Sequence, residues 1–483
     1  MSDADSVVFS PGVRRFLVVT GVFMFVATAS QLTGFVPDPA WASLRYAENI
    51  AAGHGPVWNI GGARVEGYSA PLLLGLQVVA TVVGVDAMAA TQLLGFAASL
   101  ATLALVHRLG RAQFGALPAA LAVLFAGSSP AFALWSVGGT ETPLVACVVL
   151  FALLDFLGGG ALAGGFVLAI LPLLRPEGLV LAMTVALAGT IAAPNWRRRL
   201  MKAVVPVLAV ALIVTAGRGM VFGEAFPNSV RVRFGAADPL AVTTDFVRLV
   251  APALPFAALG AFAAGGVGAR LAAAALGLAI AALLTMDSVS AFARHAIPLW
   301  PLIALLAARG VPVLVRLRSG ATGGILLVVG ILMVVTALLG TPEFDVAATK
   351  TVEHEFAACR TQVRTNAADW LRPRLGVNGE YAVSDAGEFS LRAGGTSLDL
   401  IGLHDPSLAK SGRQTFGVRA RWALARAPAW FVLRGKRESQ TLTPFYGHER
   451  SLVREEAFAA NYTLAASFAK AGCDISLWIY QRR

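Results

Sequence analysis

Apolar runs of about 20 residues recur through the first 340 positions of this chain, each long enough to cross a hydrocarbon core of about 30 Å. In lipid the backbone must satisfy its own polar groups, so such runs fold as helices and the chain reads as a polytopic α-helical membrane protein. Only 14% of its residues are charged, where a soluble protein carries about a quarter. Spans are expected at about 16–35, 87–107, 115–135, 141–157, 160–173, 177–194, 203–219, 245–265, 269–286, 295–309 and 322–340, about 11 in all. The first is too long for a signal-peptide core and lacks an A-x-A site at its end, so it is read as retained.

Many of the basic residues behind the net charge of +11 cluster beside these runs: Arg14-Arg15, Arg108 with Arg111, Arg197-Arg198-Arg199 with Lys202, and Arg316 with Arg318. Positive-inside anchors are distributed this way, and no nucleic-acid partner is needed to explain the charge. The run SAPLLLGLQVVATVVG (69–84) decides the topology. Counted as a span, it would put Arg108 and Arg111 outside. Read as a juxtamembrane helix along the outer surface, it puts all four clusters inside, and the N-terminus with them. The loops around Asp38, Thr140-Glu141, Arg175-Pro176-Glu177, Pro227-Asn228 and Asp287 to Arg294 then all fall on the outer face. Polar groups gathered at helix ends on one side fit a surface site, whereas a transporter would show them near the midplane of several helices.

Composition shifts at Pro342. Residues 1–342 read as the transmembrane domain, with a first outer loop at 36–86, and 343–483 as a soluble α/β domain on the outer side. A helical pattern from Val352 to Arg372 gives way there to the strand-like runs EYAVSDA, TSLDLIGL and AWFVLR. Cys147 lies in an apolar run. Cys359 and Cys473 fall at the two ends of the outer domain and form a disulfide candidate if that domain lies outside the cytoplasm.

The first outer loop begins VPDPAWASLRYAENIAAGHG. Asp38 before Pro39 reads as an N-cap with proline at N1. It also starts a stripe at helical spacing with Trp41, Arg45 and Glu48, and a carboxylate facing such a stripe can serve as general base toward an acceptor hydroxyl. The two roles are compatible. Further on, Trp58, Asn59, Arg64, Glu66 and Tyr68 stand among glycines as groups suited to hold a sugar, while a lone loop histidine such as His54 is more often a surface or hydrogen-bonding residue than a ligand. Arg175 and Glu177 interrupt an apolar stretch, either as a mutual ion pair or with Arg175 on a phosphate and Glu177 orienting it. Arg231, Arg233, Arg294 and His295 add outer-face basic residues, against the positive-inside bias, which an anionic lipid-linked ligand would explain. No zinc spacing, Walker A or GxGxxG pattern is present.

These motifs resemble integral-membrane glycosyltransferases of the C superfamily (GT-C), in the branch of the mycobacterial terminal β-1,2-arabinofuranosyltransferase and its Gram-negative relatives. RYAENIAAGHGPVWNIGGARVEGYSAPL is similar to that branch's first outer loop, WSVGGTETPLVA to its Ser-Gly-Leu-Glu-Thr-Pro segment, and LRPEG to its Arg-Pro-Glu-Gly motif. FGEAFPNSVRVR resembles its Pro-Asn-Thr motif, with Arg233 where the family has lysine; VSDAGEFS and LDLIGLHDP resemble two signatures of its outer domain.

The resemblance implies a polyprenyl-phosphate-sugar-dependent glycosyltransferase of the bacterial inner membrane, acting in the cell envelope, with its C-terminal domain periplasmic. The donor implied is an arabinofuranose on a decaprenyl-type phosphate, and the acceptor a glycan, a lipid or a pilin-like protein. Asp38 takes the position of the catalytic base in an inverting-type reaction. Arg175, Arg233 and Arg294 would hold the donor phosphate, and Trp41, Arg45, His54, Trp58, Asn59, Glu66, Tyr68, Glu141, Glu177 and Asn228 would line the substrate site. The relatives commonly carry a second acid next to the base. Here it is Pro39, which assigns no metal ligand and leaves use of a divalent metal open. The competing reading is a non-catalytic membrane protein of the same fold that binds a lipid-linked glycan or a protein, as in relatives linked to flagellar motor control.

Overall fold

A computed structural model describes residues 10–233, 253–285, 294–316, 351, 355–376, 379–410, 416–436, 442–473 and 475–483. The chain runs through α1 (Pro11–Ser30), α2 (Asp38–Ala51), α3 (Pro71–Val82), α4 (Ala87–Phe114), α5 (Ala116–Gly127), α6 (Pro130–Ser136) and α7 (Thr142–Leu157). There follow α8 (Leu162–Leu168), α9 (Leu171–Leu174), α10 (Gly178–Thr190), α11 (Trp196–Phe222), α12 (Asn228–Arg233), α13 (Leu254–Ala263), α14 (Gly265–Thr285) and α15 (Trp300–Arg316). Among the described residues, α1, α4, α11 and α14 are long and apolar enough to cross a membrane.

Several expected spans take a different form. The span at 115–135 is the pair α5 and α6, bent by 68°. Ser129 caps α6 by accepting from the Phe132 N–H at 3.2 Å, and Pro130 follows at the start, which restarts the helix in a new direction. The span at 160–173 is broken between α8 and α9, where Pro172 removes a backbone donor. The run at 69–84 forms α3, whose 12 residues extend about 18 Å, short of a hydrocarbon core. The span at 322–340, most of the Asp287 to Arg294 loop and the start of 245–265 lie outside the described residues.

The chain divides into two compact units. The first comprises 1–33, 92–216 and 237–350; the second comprises 34–91, 217–236 and 351–483. In the first, small residues bring helices together: the Leu306 carbonyl stands where a Cβ on Gly260 would sit, and the Phe256 carbonyl does the same at Gly310. Close α13–α15 packing of this kind is how helices associate without a hydrophobic drive between them.

The second unit joins the first outer loop to the C-terminal region. Helices α16 (Thr361–Leu371), α17 (Ala386–Ala393), α18 (Pro406–Lys410), α19 (Phe416–Arg426), α20 (Gly447–Arg454) and α21 (Glu456–Asn461) accompany one sheet. Its strands are β1 (Glu380–Val383), β2 (Thr396–Asp399), β3 (Trp430–Lys436), β4 (Thr443–Pro444), β5 (Tyr462–Ala469) and β6 (Ile475–Arg482). Their order is β2-β1-β3-β6-β5, with β4 beside β3. β1 runs parallel to β2 and β3, while β6 is antiparallel to β3 and β5. Alternation along β1 and β3 sends Tyr381, Val383, Trp430 and Val432 to one face, and Ala382, Phe431 and Leu433 to the other. The first face packs on Ala42, Tyr46 and Ala47 of α2, so the outer loop supplies part of this domain's core. On the same side Cys359 and Cys473 are joined by a disulfide, with Cα atoms 5.6 Å apart.

Candidate active site

Asp38 is the first residue of α2, with Pro37 at the N-cap position and Pro39 inside the first turn. Its carboxylate does not cap its own helix as the sequence suggested. It turns to α17: Oδ2 accepts from the Gly387 N–H at 2.8 Å and Oδ1 from the Glu388 N–H at 3.1 Å. These are orphan donors at a helix start, which a carboxylate satisfies with the added favour of the helix dipole. The vacancy exists because Asp385, the N-cap residue of α17, is engaged elsewhere. Its carboxylate accepts from Arg364 at 2.7 Å, from Arg434 at 2.9 Å and from the Tyr446 hydroxyl.

Arg364 links the group. Its guanidinium lies 3.8 Å from Asp38, 2.7 Å from Asp385 and 3.2 Å from Glu388. Burial raises the pKa of Asp38, with Arg364 and the two N–H bonds pulling against it. At Asp385 the balance goes the other way: burial would raise it, but Arg434 and Arg364 hold it well below the usual carboxylate range. Asp38 keeps 27% of its side chain exposed. Beside it, Trp41 is half-buried with the Arg392 guanidinium over its ring at 5.5 Å, and its Nε1 has no hydrogen-bond partner among the described residues. An accessible carboxylate, an aromatic ring and an arginine thus stand together at the start of α2.

Other expected loop contacts prove to be brackets within the unit. Arg45 donates to the carbonyls of Trp58 (2.9 Å), Gly395 (2.9 Å) and Ser390, and to Asn59 Oδ1 (3.2 Å). Trp58 is 2% exposed, stacked on the His404 ring at 3.8 Å and covered by Arg45, so it is not an open platform for a sugar. Asn59 is bonded both ways to the Ser397 backbone at 3.0 Å. Glu66 pairs with Arg218 at 2.7 Å, Tyr68 packs edge-on against Tyr46, and Asn228 donates to the carbonyls of Leu403 and Asp405. His54 is exposed in its turn. Arg233 ends α12, and its side chain lies outside the described residues.

The missed residues sit in the C-terminal motifs. In VSDAGEFS, Asp385, Gly387 and Glu388 surround Asp38. In LDLIGLHDP, Asp399 accepts from the N–H groups of Ile401 (2.8 Å) and His404 (3.1 Å), shaping the loop that carries His404 onto Trp58. Burial pushes Asp399 up to about 6. Among the described residues no group of three His, Cys, Asp or Glu is placed to hold a metal ion.

In the first unit, candidates expected from three separate loops meet in one buried cluster. Glu141 accepts from Arg294 at 2.7 and 2.5 Å and lies 3.3 Å from Arg175. Arg175 also approaches Glu177 at 3.6 Å and donates to Thr142 at 3.3 Å, while His295 lies 3.5 Å from Glu177. The suspected Arg175–Glu177 pair is therefore the weaker half of Arg175's contacts. Arg294 Nε is buried without a hydrogen-bond partner among the described residues.

Two solved structures share this architecture. ArnT from Cupriavidus metallidurans, bound to undecaprenyl phosphate, aligns over 98% of this chain and 98% of its own, at 12% identity and a TM-score of 0.57. The archaeal oligosaccharyltransferase AglB from Archaeoglobus fulgidus, in complex with an inhibitory peptide and a dolichol-phosphate, aligns over 88% of this chain and 70% of its own, at 13% identity and a TM-score of 0.58. At these identities the likeness is one of fold, which the chain shares with ArnT and AglB. Residues 354–480 also match a family model described as a domain of unknown function, DUF8728. No curated protein matches the sequence.

Proposed function

We propose that this chain transfers a sugar from a polyprenyl-phosphate donor to a glycan, lipid or protein acceptor at the outer face of the inner membrane, with Asp38 as general base. The observation that carries the reading is the state of Asp38: oriented by two backbone N–H groups, raised in pKa by burial, and still partly exposed. A base whose pKa moves toward the working pH is better suited to take a hydroxyl proton. In the reaction the acceptor oxygen bonds to the anomeric carbon, its proton passes to Asp38, and the carbon–oxygen bond to the phosphate breaks with the electron pair leaving on phosphate. No cofactor is required for that balance. Arg175 and Arg294, fixed by Glu141, are the donors assigned to the leaving phosphate, with Arg233 as a third. The lipid phosphates bound in the ArnT and AglB structures support a lipid-phosphate donor. The sequence resemblance supports arabinofuranose, and the disulfide supports an oxidising compartment for the second unit.

The non-catalytic reading also has an observation in its favour, since Asp38 does structural work for α17. Asp38→Asn separates the two. Asparagine keeps a side-chain oxygen for the helix terminus but cannot serve as base. With a synthetic polyprenyl-phosphate arabinose, transfer by folded, membrane-inserted Asp38→Asn should fall at least about 100-fold. Activity that falls only in proportion to lost stability would favour the binding protein.

A further inference from the structure

We propose that a cavity in the second unit, walled by Trp58, Glu380, Thr396, His404, Asp405 and Arg426, is a sugar-binding site separate from Asp38. It would take one hydroxylated ring. Its role as a subsite for the acceptor glycan rests on the glycosyltransferase reading; the binding itself does not.

The volume is about 230 Å³. Drug-sized ligands occupy about 300–1,000 Å³, so this space suits a single ring rather than a chain. Its polar groups retain unspent capacity. Glu380, at the start of β1, is half-buried, and its carboxylate has no hydrogen-bond partner among the described residues. Burial raises its pKa, as it does for a carboxylate short of donors. Asp405 spends Oδ1 on the N–H groups of Ser407 (2.8 Å) and Leu408 (3.0 Å) and on the Ser407 hydroxyl (2.6 Å), while Oδ2 stands 4.0 Å from Arg426. Arg426 donates to the Ser407 hydroxyl at 3.1 Å and is 45% exposed, so donors remain for a ligand.

The wall therefore offers acceptors on Glu380 and Asp405 and donors on Arg426, while the buried Trp58 and His404 contribute no open ring face, only the apolar floor behind these groups. A sugar meets that combination because each hydroxyl both donates and accepts while the ring carbons pack on that floor. An anion would face two carboxylates. The stacked Trp58 and His404 give this wall a rigid base, and Arg45 ties Trp58 to α2, whose first residue is Asp38. Arg45 follows Asp38 by seven residues, about 10 Å along the helix.

The test uses the full chain in nanodiscs and calorimetric titration with methyl arabinofuranoside, methyl glucopyranoside and glucuronate. At least one neutral glycoside should bind the wild type and Asp38→Asn alike. Glu380→Gln and Arg426→Ala should each weaken binding about tenfold or more at unchanged melting temperature. Glucuronate should bind more weakly than the neutral probes. The proposal is overturned if neither neutral glycoside binds, if both variants bind as the wild type does, or if glucuronate binds best. Chemistry can fail independently: a protein inactive on every lipid-linked donor that still binds the glycoside through Glu380 would sink the transferase reading and leave this site standing.

Discussion

The Gly387 amide donates to Asp38 Oδ2 at 2.8 Å, a bond between residues 349 positions apart. It needs glycine on one side. A Cβ built on Gly387 would lie 2.8 Å from Asp38 Cγ and closer still to the Asp38 carbonyl. Gly387→Ala should therefore push the carboxylate off the start of α17 without removing it. Overpacking of this kind costs about 1–3 kcal/mol of stability. The sharper readout is kinetic: kcat should fall about tenfold or more with KM nearly unchanged. The acid limb of the pH–rate profile should also move to higher pH, because the lost N–H bonds favoured the ionised form. A Gly387→Ala enzyme with lower stability but an unmoved profile would mean that Gly387 serves packing alone.

Arg45 offers a second contrast. Its donors reach three backbone carbonyls and Asn59, and its side chain is buried. Arg45→Ala would leave those acceptors short, and bonds from a charged donor contribute about 1.5–3 kcal/mol each, so a loss of about 3 kcal/mol or more is expected. A bracket lowers the melting temperature and leaves KM intact in the protein that remains folded. A substrate ligand does the opposite, and measuring both quantities on one preparation decides between them.

The disulfide between Cys359 and Cys473 closes a loop of more than a hundred residues around the sheet. Replacing both cysteines by serine should destabilise the second unit by about 2–5 kcal/mol. The same loss should follow from adding a reductant to the wild type, and the double variant should be indifferent to it. Equal melting curves for wild type and variant under oxidising conditions would refute this.

Apolar periodicity made the helical membrane part and the C-terminal sheet legible, because burial in lipid and alternation on a sheet both leave their mark in residue type. Asp38 and the Glu141, Arg175, Glu177 and Arg294 candidates were legible as polar groups in costly places. Their partners were not. A bond from Asp38 to a backbone N–H carries no side-chain signature at Gly387, and nothing local says that Asp385 will be drawn away by Arg364 and Arg434. Two local signals do mark features of the fold. Ser128-Ser129-Pro130 marks the restart between α5 and α6. Ala42, Tyr46 and Ala47, beside the polar stripe of α2, are the face that joins the C-terminal core.

Glu449 gives the second unit a stability that depends on pH in a defined direction. It is fully buried, accepts from the Ser384 hydroxyl at 2.6 Å, and is raised by burial from its ordinary 4.5 to about 8. The folded state thus holds this proton up to about pH 8 whereas the unfolded chain releases it near 4.5, so stability falls as pH rises through that interval. His448, which shares Ser384 at 2.9 Å, acts oppositely. Burial lowers it to about 3, the folded state binds fewer protons, and stability rises between about pH 3 and 6.5. Asp399, raised to about 6, acts in the same direction as Glu449 and has largely titrated by pH 7. Between pH 7 and 8 the descent due to Glu449 is little opposed by His448 and amounts to about 1 kcal/mol, since the slope of about 1.4 kcal/mol per pH unit falls off as the folded-state pKa is approached. Glu449→Gln keeps an acceptor for Ser384 and has no proton to lose. Its melting temperature should exceed that of the wild type at pH 8, match it more nearly at pH 5, and vary less in between. A wild-type melting temperature that is flat from pH 7 to 8 would show that Glu449 is ionised in the folded protein and that its burial is relieved by a partner yet to be found.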